Sequence, residues 1–526
     1  MTDDFAGLPS YDVLASPVPE PGRKPATWWV VGGVVALVAA LIGGITYGAA
    51  SLSGGGEQPE GALPAGAIAF AKVDLDPAAG QKVDAIRFLR KFPSVRGHVA
   101  TDADLRKVLF TAVADDAGWK GVSFATDVEP WLGQRVAVAA YSPKTFGPAK
   151  STGGPATPAV VVALQVGDEG KARAGLDRLI AASSGSVKPG YVLQDGYALL
   201  AQTKAIAQSA ADGVAKGSLA EAPGFAGDIK GLDDGIATFW FDGKAAGSLL
   251  SVANLGGMGM LGSAGASAGD VSALSKVHMV YTLRFDGPDV LEMVGKVTGG
   301  EKIAAAKHPV KGFTTLPAST VAAFGLSGGD AAVDSGWKAF KKQMDTTPGM
   351  GDSIDQGLAQ AERQYGLHLP ADLKLLFGSN LLVALDGSGL AGGSFEVGAR
   401  VTTPEAKRAN TLIGRLTNGF GADMGGPTIT HRVAGDGYVV ASSKAQADRM
   451  TQPAAKSLGD LEGFRRALPD VSGAQFALWV DLQGVAAAVP GDSANEKDLK
   501  PLVGVGITST TDGAGNGSFR ARLVTH

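Results

Sequence analysis

Apolar and polar positions divide the chain into regions of different rhythm. No charge occurs between Pro25 and Gly56, and the middle of that window, Trp28 to Ala50 (WWVVGGVVALVAALIGGITYGAA), is apolar almost throughout. As a helix rising about 1.5 Å per residue it reaches about 35 Å, enough to cross a hydrocarbon core of about 30 Å. Residues 27–50 are therefore expected to form a transmembrane helix, residues 1–26 a disordered polar tail and residues 51–62 a flexible tether. From Leu63 onward, short runs of period two alternate with stretches of helical period. They predict strands near 67–75, 134–141, 159–166, 236–241 and 277–286, and a hairpin at 190–201. Helices are expected near 78–92, 102–116, 169–182, 203–212 and 220–230.

The rhythm then repeats. Leu63-Pro64-Ala65 and Leu316-Pro317-Ala318 each precede a strand-like run. Asp195-Gly196-Tyr197 and Asp436-Gly437-Tyr438 each sit between apolar runs, where Asp-Gly favours a tight hairpin. Thr203-Lys204 and Ser443-Lys444 follow the hairpins with a hydroxyl ready to cap a helix. Phe225 to Asp242 and Phe464 to Asp481 have identical spacing, matching Phe225 with Phe464, Trp240 with Trp479 and Asp242 with Asp481. Landmarks recurring in order point to an internal duplication, with copies at 63–315 and 316–526. The expected fold is α+β: two diverged tandem copies, each a mainly antiparallel sheet with helices on one face, after one N-terminal transmembrane helix.

Charge and composition set the location and narrow the partners. Arg23 and Lys24 abut the apolar span, whereas the first charges beyond it are Glu57 and Glu60. The positive-inside bias puts the tail in the cytoplasm and the C-terminal bulk outside a cell membrane crossed once. Trp28, Trp29 and Tyr47 fall where aromatic side chains meet the interface. Gly48 and Ala50 have the spacing of a signal cleavage site, but the apolar run is about twice the length of a signal core, so it is read as a retained anchor. A formal charge of −4 over 526 residues argues against nucleic acid as a partner. The cysteine count of 0 excludes disulfides, thiol nucleophiles and Cys-ligated zinc. The partner implied is the lipid bilayer, with an envelope protein or lipid beside it.

Motifs that carry chemistry are few, and each has a plain alternative. Gly325-Leu326-Ser327-Gly328-Gly329 fits a nucleophile elbow after a strand, with His368, His431 and His526 as downstream bases; otherwise it is a Gly-rich strand-to-helix turn. Gly257-Met258-Gly259-Met260-Leu261-Gly262 fits GxGxxG but follows a helix-like segment, the wrong context for a dinucleotide. Met258, Met260 and Leu261 instead suggest an adaptable apolar contact loop. Ser335-Gly336-Trp337-Lys338 lacks the companion motifs of penicillin-interacting enzymes. Single histidines, the pairs Asp74/Asp76 and Asp233/Asp234, and the basic run Arg87, Arg90, Lys91 and Arg96 read as capping or solvated groups. No catalytic, cofactor or metal residue is assigned.

The stretch LPAGAIAFAKVDLDPAAGQKVDAIRFLRKFP, Leu63 to Pro93, resembles the opening of an actinobacterial family of single-span membrane proteins known as domain of unknown function 3352. The strand ending in VDLDP, the Gln-Lys helix start and the RFLRKFP helix end carry the resemblance. It implies the same location and brings no activity or cofactor with it. The expected function is that of a membrane-anchored, extracytoplasmic, non-catalytic binding or scaffold protein of the cell envelope. The alternatives are an apolar-ligand (lipid) carrier or sensor, and a serine hydrolase using Ser327.

Overall fold

A computed structural model describes residues 58–75, 79–93, 106–107, 110, 119–146, 158–183, 189–232, 235–243, 276–300, 308–345, 356–360, 362–363, 366–389, 396–424, 429–488 and 499–526. The expected tail, span and all but the end of the tether lie outside these residues, as does most of the helix expected near 102–116. Among the described residues no helix is long and apolar enough to cross a membrane.

The first half runs β1 (Ala67–Asp74), α1 (Ala79–Leu89), β2 (Leu132–Tyr141), β3 (Ala159–Val166), α2 (Glu169–Ala182), β4 (Gly190–Gln194), β5 (Tyr197–Ala201), α3 (Lys204–Val214), α4 (Pro223–Ile229), β6 (Ala237–Asp242), β7 (His278–Phe285) and β8 (Val290–Thr298). The second runs β9 (Thr320–Ser327), α5 (Gly329–Asp345), α6 (Ala371–Phe377), β10 (Asn380–Asp386), β11 (Glu396–Thr402), α7 (Ala406–Met424), β12 (Thr430–Ala434), β13 (Gly437–Ala441), α8 (Lys444–Arg449), α9 (Glu462–Ala467), β14 (Phe476–Asp481), α10 (Leu482–Ala488), β15 (Leu502–Thr511) and β16 (Gly517–Thr525). All sixteen strands join one antiparallel sheet in the order β4-β5-β3-β2-β1-β6-β7-β8-β16-β15-β14-β9-β10-β11-β13-β12. The order reads the same from either edge, with the two halves meeting at β8 and β16.

The sequence reading omitted β8, whose Glu292 and Lys296 interrupt its apolar run. It also expected helices on one face, and the structure corrects this. On β5, Leu199 packs into the core that contains Ala207 and Ala210 of α3, while the neighbouring Ala198 packs with Ala172 and Leu176 of α2. Consecutive strand residues point to opposite faces, so helices cover both. The second half does the same: Val439 meets Ala447 after α8 begins, and Tyr438 meets Ala409 and Ile413 of α7. Val310 and Phe313 belong to the second core, so the chain from His308 onward goes with that half.

Local chemistry explains the matching elements. The Thr203 and Ser443 hydroxyls accept from the main-chain N–H of Ile206 and Gln446, capping α3 and α8. Pro64 bridges to Ser218 as Pro317 bridges to Ser457. A further pair was not recognised in the sequence. Asp127 accepts from the Ser123 N–H at 2.7 Å and pairs with Arg178, while Asp372 accepts from the His368 N–H at 2.6 Å and pairs with Arg408. The Ser123 hydrogen bond holds the Asp127 carboxyl below the usual carboxylate range against the opposing effect of burial, with help from Arg178.

The hairpins differ from the sequence alignment by one residue. Asp195 and Gly196 form the first turn with φ of 49° and 74°, and Gln194 pairs with Tyr197. In the second hairpin Ala434 pairs with Gly437, so Gly435 and Asp436 are the turn residues and Gly435 takes a φ of 57°. Gly437 therefore occupies the place of Tyr197, and Tyr438 faces the other way. A Cβ at Gly437 would lie 1.7 Å from the Val401 carbonyl oxygen, so no side chain fits there.

Candidate functional site

The middle strands, from β1 through the β8–β16 junction to β9, separate charge from apolar surface more sharply than the rest of the sheet. Alternation along these strands places Lys72, Thr282, Arg284, Glu292, Lys296, Arg520 and Arg522 on the face that carries α4 and α9. The opposite face receives Phe239, Tyr281, Met293, Phe519, Ile507, Leu478 and Phe324.

On the charged face Glu292 is fully buried at the junction of the halves. In one cross-strand row it stands between Arg284 on β7 and Arg522 on β16. Its carboxylate accepts from Arg284 Nε at 2.6 Å and Arg522 Nε at 2.7 Å, and Arg520 Nε lies 3.1 Å away. Three guanidiniums around one carboxylate leave positive charge, which the more exposed Asp286 and Asp470 offset by pairing with Arg522 and Arg520. At the strand ends Lys91, after α1, pairs with Asp289 and donates to Thr525 at 2.9 Å. The Lys91 hydrogen bond holds the Asp289 carboxyl below its ordinary range, burial working the other way. Arg466 after the first turn of α9 lies 3.2 Å from the same carboxylate. Elements from both halves thus converge on one network, and the basic run seen in the sequence enters it through Lys91.

The recurrent Phe and Trp flank this junction. Phe225 packs edge-on against Trp240 at 5.3 Å and Phe464 against Trp479 at 5.4 Å. Their polar surroundings differ. Trp240 Nε1 donates to Asp228 at 2.8 Å, and His278 Nδ1 lies 2.9 Å from the same oxygen. The corresponding positions in the second half are Ala467 and Gly504, and the Trp479 ring lies over Gly504. Trp479 Nε1 is buried without a hydrogen-bond partner among the described residues. The two Asp residues following the Trp strands serve differently as well: Asp481 accepts from Gly484 N–H at 2.9 Å and caps α10, while Asp242 lies 3.8 Å from His278 Nε2.

On the apolar face Val73, Met279, Leu283 and Phe285 are buried, while Phe239, Tyr281, Met293, Phe519, Ile507, Leu478 and Phe324 are half-buried. Tyr281 meets Phe519 edge-on across the junction at 6.0 Å, and Phe324 meets Phe476 at 5.4 Å. Helix α1 seals one end, where Phe88 and Leu89 pack against Phe285. Gln81 clamps that helix to β7, its amide donating to and accepting from the Phe285 main chain at 2.7 Å each.

The other sequence candidates are not brought together. Ser327 is buried and donates to the His308 main-chain carbonyl, not to an imidazole. His368 pairs with Glu362, His431 with Asn410 and His526 with Gln483. Asp74 closes β1 opposite Arg135. Ser335 and Lys338 lie within α5. Arg87 on α1 and Arg90 just after it are exposed. Met258, Met260, Leu261, Asp76, Asp233, Asp234, Arg96, and the span's flanks Arg23, Lys24, Trp28, Trp29 and Tyr47 lie outside the described residues. Among the described residues no group of His, Asp and Glu is placed to hold a metal ion.

Two stability predictions follow from the asymmetry of this region. Glu292→Ala leaves three guanidiniums around an empty buried position and is expected to cost about 3–5 kcal/mol in urea unfolding; a loss below about 1 kcal/mol would show the pairs to be dispensable. Trp240→Phe breaks a hydrogen bond to a charged group, whereas Trp479→Phe removes a donor without a partner. The first is expected to cost about 1–2 kcal/mol more than the second, and equal losses would contradict the difference in wiring.

No curated protein and no solved structure matches the chain. A family model described as protein of unknown function (DUF3352) matches residues 30–377, from within the apolar stretch through the first half and into the second as far as Phe377 at the end of α6. That match spans well over half of the sequence, and the chain belongs to the DUF3352 family.

Proposed function

We propose that this chain is a non-catalytic binding protein of the cell envelope, anchored by Trp28–Ala50 with its tail in the cytoplasm and its folded part outside. We take the two halves to be copies from a tandem duplication, a reading supported by the symmetric strand order and the shared caps, bridges and Phe–Trp contacts. The ligand is apolar, a lipid chain or a molecule of similar character, and the surface that takes it is the apolar face of the middle strands.

One observation carries this reading. Across the junction every charged side chain of the strands lies on one face, while on the other Phe239, Tyr281, Met293, Phe519 and Ile507 stay half-buried beside the buried Met279 and Leu283. An apolar sheet face is stable in water only when something covers it. Partly buried aromatic and Met side chains suit a ligand of variable shape better than a rigid core does. The absence of a serine–histidine contact at Ser327 gives the hydrolase alternative no comparable support.

Native mass spectrometry of residues 51–526, followed by solvent extraction, tests the ligand. A copurifying apolar molecule is expected, and Phe519→Lys should reduce its occupancy by at least about tenfold by placing an ammonium on that surface. A protein that flies at its sequence mass with nothing extractable sinks the carrier reading. Protease added to intact cells checks the topology separately: digestion of the folded part is expected, and full protection places it on the other side of the membrane.

A further inference from the structure

The two open edges among the described strands, β4 and β12, belong to hairpins of the same build and different surface. Each hairpin turns on two residues, so Gln194 and Ala434 pair with Tyr197 and Gly437 across the turns. Bonded and open pairs alternate along an antiparallel ladder. Counting back from Ala434, which is bonded across its turn, Arg432 and Thr430 direct their main-chain groups to β13, whereas Val433, His431 and Ile429 direct theirs outward. The far side of β13 agrees: the N–H of Ser442 donates to the Val397 carbonyl on β11, so the alternate residues Gly437, Val439 and Ala441 are the ones that face β12. Among the described residues no group bonds to the outward N–H and C=O of Ile429, His431 and Val433.

Side chains separate the two edges. On β4 the matching residues are Leu193 and Tyr191, which pack against the core under α2, and the Tyr191 hydroxyl donates to Asp177 at 2.8 Å. On β12 Val433 and Ile429 are 41% and 43% exposed. His431 lies between them on the same face, its Nδ1 3.0 Å from Asn410 Oδ1 on α7. The residues with free main-chain groups are thus also the residues with exposed apolar side chains, and such an edge is a template for one more strand. Register decides which strand fits. With a second β12 running antiparallel about a two-fold axis at His431, each Ile429 stands opposite Val433 of the other chain and all the outward N–H and C=O groups are paired. Moving the axis to Arg432 sets two guanidiniums directly opposite each other, which is destabilising, and moving it to either Arg432 or Thr430 parts Ile429 from Val433.

We propose that β12 is a homodimer interface, through which two copies of this chain join edge to edge about His431 and continue the sheet from one molecule into the next. The contact is self-complementary, as a two-fold interface requires. So short a strand buries less than an interface of standard size, and the dimer is expected to dissociate at on the order of 10–100 μM. The proposal does not depend on what covers the apolar face of the middle strands.

The cysteine count of 0 lets single introduced thiols report the register in the full-length protein in detergent. His431→Cys is expected to form a disulfide-linked dimer on mild oxidation, because directly opposite bonded residues have Cα atoms about 5.5 Å apart, within disulfide range. Ile429→Cys and Val433→Cys are each expected to cross-link poorly alone, their own counterparts lying about 13 Å away, and to cross-link at least about fivefold better when mixed. Sedimentation of the wild-type chain from about 1 to 300 μM should show reversible dimer formation, weakened at least tenfold by Val433→Lys. A chain that stays monomeric throughout that range overturns the proposal. So does a dimer that survives Val433→Lys and gives no cross-link at position 431, which places the contact elsewhere, and so does equal cross-linking by all three thiols, which reports collision without a register. If His431→Cys fails to fold after losing Asn410, the mixture of the two exposed substitutions decides.

Discussion

Pairing of β8 with β16 is the contact on which the continuous sheet depends. Without it there are two eight-stranded sheets with two open edges each; with it the open edges among the described strands are β4 and β12. Hydrogen bonds between strands do not choose their own register, because slipping a pair by two residues preserves the ladder and the faces. The ion pairs make the choice. Glu292 lies directly opposite Arg522, with Arg284 opposite it on the other side; a two-residue slip sets the buried carboxylate opposite Val524, which has no guanidinium, or opposite Arg520, which takes Arg522 out of the row. A buried ion pair contributes little net stability against a well-packed apolar alternative. Its effect here is to make one register much better than its neighbours, as polar groups do in coiled-coil seams.

Much of the architecture was legible because local chemistry dictates it. Thr203 and Ser443 begin helices because a hydroxyl answers an N–H that the helix cannot, and Asp195-Gly196 turns the chain because both residues tolerate positive φ. The second hairpin misled because Gly-Asp-Gly offers two ways to align with Asp-Gly, and only the tertiary register decides between them. The placement of helices on both faces had a signal that was missed. The run Tyr197-Ala198-Leu199-Leu200-Ala201 is apolar at every position, as expected of a strand covered twice and not of one with a solvated face. The charged junction was out of reach for a different reason. Arg284 and Glu292 are neighbours in a hairpin, but Arg522 lies 230 residues beyond Glu292, and no local pattern joins them.

The halves keep what builds the fold and differ in what fills it. Phe225 and Phe464 hold the same edge-on contact with their tryptophans, yet where the first half has the Asp228–His278 pair the second has Ala467 and Gly504. Tyr141 and Asp386 end corresponding strands with different contacts, the tyrosine hydroxyl reaching the Pro64 carbonyl and the carboxylate taking Ser319 and Ser388. Packing of the shared positions is constrained by every neighbour, so it resists change. Positions at the ends of strands touch fewer elements, and there the halves present different surfaces.

The 230-residue separation across the Glu292–Arg522 pair also bears on the order of events as the chain folds. Closing so long a loop from the unfolded chain is entropically expensive, and the cost falls once each half has gathered its own strands and shortened the path between β8 and β16. The junction is therefore a docking step between two preformed sheets. Until it occurs, each half presents an unpaired strand: β8 carries Glu292 with Lys296, and β16 carries Arg520 and Arg522. A lone edge is where sheets of different molecules join wrongly; charge at this one favours the matching half over a stranger.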